Sequence, residues 1–261
     1  MSRIENQIVL ITGASSGIGA ACAEVFARSG ARLILAARRG ERLEHLGTEL
    51  QQQYGRPVLC LTLDVRDRVQ VEATLQSLPA EWAAIDILIN NAGLSRGLDK
   101  LYEGKVQDWE EMIDTNIKGL LYVTRTVVPG MVSRGRGHVI NIGSIAGHQT
   151  YPKGNVYCAT KAAVRALSEG LNIDLLGTAV RVSSVDPGLV DTEFSTVRFH
   201  GDTDRAKAVY QGLTPLSGED VAEVVLFCAT RPPHVNLSEV LLLPTAQATP
   251  TLVHRSESAA D

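Results

Sequence analysis

The chain has no CxxC pair, and none of its cysteines or histidines are spaced as zinc ligands. Its four cysteines (Cys22, Cys60, Cys158 and Cys228) are scattered. They read as reduced thiols of a cytoplasmic protein, not as a disulfide framework, and no metal is expected. An excess of one charge is also missing. Lys and Arg number 25 against 29 Asp and Glu, for a formal net charge of −4, with no block of like charge. This argues against nucleic acid or an anionic membrane as partner. No apolar run is long enough to span a bilayer. The N-terminal MSRIENQIVLITG enters an apolar strand at once, without the charged start and cleavage site of a secretory signal. There is no internal repeat and no dividing linker. At 261 residues the chain is one large domain or at most two small ones, long enough to bury a sizeable core.

What is present is a regular alternation. IVLIT from Ile8, LILAA from Leu33, VLCLTLDV ending at Asp64 and Val65, IDILINNAG, HVINIGS, VRVSSVDPG and EVLLLP are strand candidates. Between the early ones lie helical stretches from Ala20 to Ser29, from Glu41 to Gln53, and VQVEATLQSL. Continuous Val/Ile/Leu strands separated by helices predict an α/β fold, a doubly wound parallel sheet covered by helices on both faces. Residues 1–244 read as one Rossmann-type domain and 245–261 as a Ser/Thr/Ala-rich tail, ordered only if docked. The stretch from Asp191 to Pro215 is polar and aperiodic, and is expected to be a loop or lid.

The first strand runs into Thr12-Gly13-Ala14-Ser15-Ser16-Gly17-Ile18-Gly19 and then a helix. Glycines allow a tight turn and let backbone approach a pyrophosphate at the helix N-terminus. The same turn without a ligand is the plain reading, and the strand–turn–helix context favours the nucleotide. The second strand ends in Ala36-Ala37-Arg38-Arg39, where an NAD enzyme would carry Asp or Glu for the ribose hydroxyls. With no carboxylate to repel a 2′-phosphate and two guanidiniums to pair with it, the expected cofactor is NADP(H). Ser15 adds a hydroxyl to the same phosphate. Asp64 and Val65 fall where adenine would rest, although Asp64 reads equally as a helix N-cap. Asn90-Asn91-Ala92-Gly93 ends the fourth strand.

Tyr157 and Lys161 stand four residues apart, which on a helix puts both on one face, and Ser144 lies upstream in NIGS. Tyrosine titrates near ~10 and is a poor acid or base at neutral pH. A lysine ammonium beside the phenol lowers that value and makes a proton donor for a carbonyl being reduced.

TGASSGIG, NNAG, the Asn of IDTN, the Ser of NIGS, YCATK and DPGLVDT follow one another in this order, and together resemble the short-chain dehydrogenase/reductase family over roughly Gln7 to Pro244. The resemblance implies a single Rossmann-type domain with about seven parallel strands, usually a homotetramer or homodimer, with the tetramer favoured. It also implies a catalytic tetrad at Asn116, Ser144, Tyr157 and Lys161. In it Tyr157 exchanges the proton, and Lys161 lowers its pKa and holds the nicotinamide ribose. Ser144 binds the substrate oxygen, and Asn116 holds a water that links Lys161 to solvent. Pro187, Gly188, Leu189, Val190 and Thr192 match the loop that receives the nicotinamide, whose contacts orient the ring for hydride transfer. Longer stretches such as DWEEMIDTNIKGL and GNVYCATKAAVRALS are similar to the NADP-dependent 3-hydroxy acid dehydrogenases, also described as serine or L-allo-threonine dehydrogenases. A nicotinamide loop one residue shorter and a longer tail depart from that branch, both on the substrate side.

The implied reaction moves a hydride between NADP(H) and a short 3-hydroxy acid or its semialdehyde. Alternatives are reduction of another small aldehyde or ketone, such as sulfoacetaldehyde, and a non-catalytic NADP-sensing or scaffold role. An anionic substrate requires a cation. Arg198, in the loop after Pro187-Gly188, is preferred, with Lys153, Arg96, Arg255 and the donors His148 and His200 as further candidates. Each is a plain surface charge if read alone. His254 and Arg255 are candidates to reach a neighbouring subunit. Leu120, Leu121, Val164 and Leu167, beside the catalytic positions, read equally as core or as dimer face.

Overall fold

The computed structural model describes residues 4–256. All seven strand candidates form: β1 Ile8–Thr12, β2 Arg32–Ala37, β3 Val58–Thr62, β4 Ile87–Asn90, β5 Gly137–Ile142, β6 Val180–Pro187 and β7 Glu239–Leu242. They make one sheet in the order β3-β2-β1-β4-β5-β6-β7, every pairing parallel. The helices are α1 Gly17–Arg28, α2 Gly40–Tyr54, α3 Arg68–Gln76, α4 Val106–Ile113, α5 Leu120–Arg134, α6 Asn155–Asp174, α7 Phe194–Arg198, α8 Thr203–Ala208 and α9 Gly218–Ala229. A π-helical turn, Asp114–Gly119, joins α4 to α5.

Side chains of successive strand residues point to opposite faces, and β1 divides its own between two cores accordingly. Val9 and Ile11 join Phe26 of α1, Leu33, Leu35 and Val225 of α9. Ile8 and Leu10 join Ile34, Leu88, Val123 of α5 and Val139. Fully burying each such side chain is worth about 1.5–3 kcal/mol, so the double coverage explains the uninterrupted apolar spelling of the strands. β7 is one of the two edges, with Glu239 and Leu241 exposed. Of the four undecided apolar residues, Leu120 and Val164 are buried in the core, Leu121 is exposed and Leu167 is half-buried.

Strand order reverses between β1, which continues to β2 and β3, and β4. The crevice outside the carboxyl ends at such a switch point is where ligands bind in open α/β sheets. Two segments cover it. The stretch expected to be a loop folds in part into α7 and α8. The tail returns against its own chain: Gln247 bridges Val253, and the Gln247 Oε1 accepts from the Leu189 amide at 2.8 Å. No helix among the described residues is long and apolar enough to cross a membrane.

Candidate active site

One cavity of about 600 Å³ runs along the carboxyl ends of the strands, from Arg38, Asp64 and Val65 to Tyr157 and Arg198. At its floor the glycine turn takes two left-handed positions, Gly13 at φ 65° and Gly17 at φ 55°. A side chain on Gly13 would meet Ala92 and Asn91, both 2.9 Å away, so the turn and the end of β4 need this bare backbone. Asn91 fastens the two, its Nδ2 donating to the carbonyls of Thr12 at 2.9 Å and Gly13 at 3.1 Å. Ser15, Ser16, Gly17, Ile18, Ala92, Gly93, Pro187, Gly188, Leu189, Val190 and Thr192 all line the cavity. Gly19 does not. A Cβ there would sit 2.4 Å from the Gly13 carbonyl oxygen, so its part is to let α1 pack closely against the turn.

Arg38 and Arg39 are not equivalent. Arg39 donates through Nε to Ser15 Oγ at 3.1 Å, through Nη2 to Ser16 Oγ at 2.6 Å and through Nη1 to Glu193 at 2.8 Å. Arg38 lines the cavity and has no hydrogen bond or ion pair among the described residues. Asp64 is held by the Arg66 guanidinium at 2.6 Å. The N-cap alternative for Asp64 does not hold, because α3 is capped by Asp67, whose side chain accepts from the Gln70 amide.

At the other end, α6 carries Tyr157 and Lys161 on one face, both buried. Ser144 follows β5 and caps a short 3-10 turn, accepting from the Ala146 amide at 3.1 Å. The expected effect of Lys161 on the phenol is not what the geometry gives. Lys161 Nζ donates to the Ile142 carbonyl at 2.8 Å and lies 6.0 Å from the Tyr157 ring centroid. Burial pushes the Tyr157 pKa up, and the groups that oppose the rise are the Arg198 guanidinium and the Ser144 hydroxyl. Burial also lowers Lys161 to about 8, against the pull of Asp186. Asn116 sits in the π-helical turn and does not line the cavity. Its amide splints the chain after β4, with Oδ1 accepting from Leu94 N and Nδ2 donating to Leu94 O, both at 2.8 Å, and to Thr160 Oγ1 at 3.0 Å.

The candidate cations separate clearly. Arg198, at the end of α7, enters the cavity. Its guanidinium carbon lies 5.3 Å from the Tyr157 ring centroid and 5.1 Å from that of Phe194, and its Nη2 donates to the Tyr151 hydroxyl at 3.1 Å. Its Nε is buried with no hydrogen-bond partner. Lys153 does not line the cavity; its backbone turns through φ 65° and its side chain is exposed. His148 points to Asp186 at 2.7 Å and Glu239 at 3.6 Å, outside the cavity, and Arg165 completes that cluster by pairing with Glu239. His200 pairs with Asp108. Arg96 lines the cavity, but it is taken up by Glu111 at 2.8 Å and the Val197 carbonyl at 2.6 Å. Arg255 spends its guanidinium on the carbonyls of Gln211 and Val209 of its own chain. Sequence reasoning missed Tyr151, Phe194, Tyr210 and Gln247, all of which line the cavity. Only Tyr151, just ahead of the active-site helix, carried a local signal.

The chain is similar to known proteins along most of its length. The NADP-dependent 3-hydroxy acid dehydrogenase YdfG of Salmonella typhi is 52% identical over 251 residues, covering 95% of this chain and 100% of that protein. Its Schizosaccharomyces pombe counterpart is 44% identical over 259 residues, covering 99% and 100%. Among solved structures, the closed form of serine dehydrogenase complexed with NADP+ superposes with a TM-score of 0.90 at 50% identity, covering 96% of this chain and 100% of that one. The serine dehydrogenase of Escherichia coli gives 0.80 at 46% identity, covering 93% and 100%. The short chain dehydrogenase family profile matches residues 7–202, and the chain belongs to that family.

Proposed function

We propose that the chain is an NADP(H)-dependent oxidoreductase of short 3-hydroxy acids (serine, allo-threonine, 3-hydroxypropionate or 3-hydroxyisobutyrate) and their semialdehydes. The observation that carries the substrate class is Arg198. A guanidinium caged by Tyr151, Tyr157 and Phe194, with a buried and unpartnered Nε, is a receptor for a small anion beside the proton donor. A charged group held this way is costly unless an anion answers it.

The cleft fits NADP(H) on its own evidence: a floor of bare left-handed glycine backbone, an Arg38 on its wall with no hydrogen bond or ion pair among the described residues, and no carboxylate at the end of β2. Ser16, Gly17 and Ile18 would hold the pyrophosphate end, Arg38 and Arg39 with Ser15 the 2′-phosphate, Asp64 and Val65 the adenine side, and Pro187 to Val190 with Thr192 the nicotinamide. The cofactor, when bound, supplies or accepts the hydride. The chain's own residues manage the oxygen and the proton. Ser144 and the Tyr157 hydroxyl bind the substrate oxygen, and Tyr157 donates its proton on reduction and takes it back on oxidation. Lys161, anchored on the Ile142 carbonyl, would hold the nicotinamide ribose, and Asn116 holds the chain after β4 against α6.

The enzyme is proposed to act in the cytoplasm as a homo-oligomer, a tetramer in preference to a dimer; the exposed apolar Leu121 of α5 and Ile173 of α6 support association, and light scattering tests it. A second reading, reduction of a sulfonate-bearing aldehyde such as sulfoacetaldehyde, rests on the same Arg198, since a guanidinium binds sulfonate as well as carboxylate. Turnover of serine, 3-hydroxyisobutyrate, 3-hydroxypropionate and isethionate, followed by NADPH absorbance, separates the two. Turnover of none of them favours the non-catalytic NADP-sensing reading.

A further inference from the structure

The Glu193 carboxylate, one residue beyond Thr192, reaches across the mouth of the cleft to two arginines of the opposite side. Its Oε2 accepts from Arg39 at 2.8 Å and its Oε1 from Arg42 of α2 at 2.8 Å. Both contacts hold the carboxyl below its usual range. The covering segment is tied at the substrate end by Arg96 to Val197 O, and by the Gly97 amide to Arg198 O. The tail ties it again through Arg255 to Val209 O. Glu193 is the side chain that ties it to the adenosine end.

Two observations say that this bridge closes over a cofactor and does not take its place. The cavity of about 600 Å³ is continuous from Arg38 to Arg198 while the bridge is made, and Glu193 is one of its walls. The charges are also unbalanced. Arg39 and Arg42 share the Glu193 carboxylate, while Arg38 and Arg66 act on Asp64; four guanidiniums against two carboxylates leave a surplus that a phosphate monoester of about −1.5 to −2 would neutralise. Arg42 does not line the cavity, so its contact with Glu193 is separate from any contact with cofactor.

We propose that Glu193 and Arg42 are positioning residues that latch the cleft behind the 2′-phosphate end of NADP(H), with Arg39 shared between the phosphate and the latch. The shared arginine makes retention depend on the phosphate, so Glu193 contributes to discrimination against NAD(H) without touching it. The inference rests on NADP(H) as the cofactor, which a wild-type preference for NADPH over NADH tests separately.

Stopped-flow release of NADPH from wild type, Glu193→Gln, Arg42→Ala and Arg42→Lys reads the latch. Exposed ion pairs are individually weak, so the expected acceleration is roughly 3- to 10-fold for Glu193→Gln and Arg42→Ala. Arg42→Lys is expected to stay near wild type, and NADH release to change least. Hydrogen exchange gives a second reading: 2′,5′-ADP should slow the amides of Phe194–Arg198 in the wild type but not in Glu193→Gln, and 5′-AMP should slow neither. Unchanged NADPH release in both variants overturns the latch. So does tighter NADPH binding by Glu193→Gln, which would make the carboxylate a competitor of the phosphate, and so does a lid whose exchange ignores 2′,5′-ADP.

Discussion

The guanidinium of Arg198 lies 5.3 Å from the centroid of the Tyr157 ring, nearer than the Lys161 ammonium at 6.0 Å. Lys161 comes from the same helix as the tyrosine; Arg198 comes from the segment that covers the cleft. The cation that most opposes the upward pull of burial on the phenol is therefore the one delivered by the cover. If Arg198 is the anion anchor proposed above, anion recognition and the tuning of the proton donor meet on a single side chain.

Replacing Arg198 by Ala should raise KM for hydroxy acids and leave neutral alcohols less affected. A hydrogen bond to a charged group is worth about 1.5–3 kcal/mol, or roughly a 10- to 100-fold loss in kcat/KM. The same change should move the pH profile for alcohol oxidation upward for every substrate, because the phenol loses its opposing cation. Steady-state kinetics over a pH series measures both effects. An unchanged preference for acids would remove Arg198 as the anion anchor.

Lys161 has a stability signature apart from its chemistry. Its pKa falls from 10.5 to about 8 on burial, a change on the order of 3 kcal/mol at 1.36 kcal/mol per unit. The charged form is the one the fold disfavours. The penalty is therefore full below about pH 8, shrinks as pH rises, and is gone above 10.5. Lys161→Met removes it, at the cost of leaving the Ile142 carbonyl without its donor. The expected result is loss of turnover together with a variant-minus-wild-type stability difference that declines between pH 8 and 10.5. Urea unfolding at several pH values checks it, and a flat difference would mean that folding does not lower the Lys161 pKa.

The frame of the molecule was legible because its signals are local. Seven apolar runs became seven strands, and the glycine turn needs only neighbours in sequence to define it. Long charged side chains are a different problem, because their partners are chosen by tertiary packing. Lys153 and His148 flank the active-site helix in sequence, yet one turns to solvent and the other to Asp186. Arg198, remote in sequence from Tyr157, lies over its ring. The stretch from Asp191 to Pro215 was aperiodic because α7 and α8 are too short to show a period; α7 lines the cleft and α8 packs on α7, not on the sheet. Gln247, in a tail without pattern, supports the loop after β6 through Leu189 N, a contact that only the folded chain reveals.

Arg38 should carry the discrimination between cofactors more cleanly than Arg39. It lines the cavity without an ion pair among the described residues, whereas Arg39 also serves Ser15, Ser16 and Glu193. Arg38→Ala is expected to raise the Kd for NADPH by about 10-fold or more, the worth of a charge-assisted contact, with little change for NADH. Arg39→Ala should weaken NADPH and loosen the covering segment as well. Fluorescence titration with both cofactors decides it, and equal losses for NADPH and NADH in Arg38→Ala would count against a 2′-phosphate contact.

His138 should make the sheet acid-sensitive. It sits in β5 between Ile87 and Arg181, with its Nε2 2.8 Å from Ser183 Oγ and its Nδ1 buried and unpartnered. Burial and the nearby Arg181 lower its pKa from 6.5 to about 3, so the ring stays neutral in the fold. The unfolded chain takes up the proton first. The stabilisation is complete above pH 6.5 and is lost progressively as pH falls toward 3. At pH 5 the loss is already about 2 kcal/mol at 1.36 kcal/mol per unit, or roughly 4–8 °C for a chain of this size. His138→Gln keeps a polar partner for Ser183 but cannot be protonated. Its Tm should therefore fall less than that of wild type between pH 7 and pH 5, by about that interval. Because β5 leads directly into Ser144, acid inactivation of the wild type should track the same transition. A parallel fall in both proteins would assign the acid sensitivity to other groups.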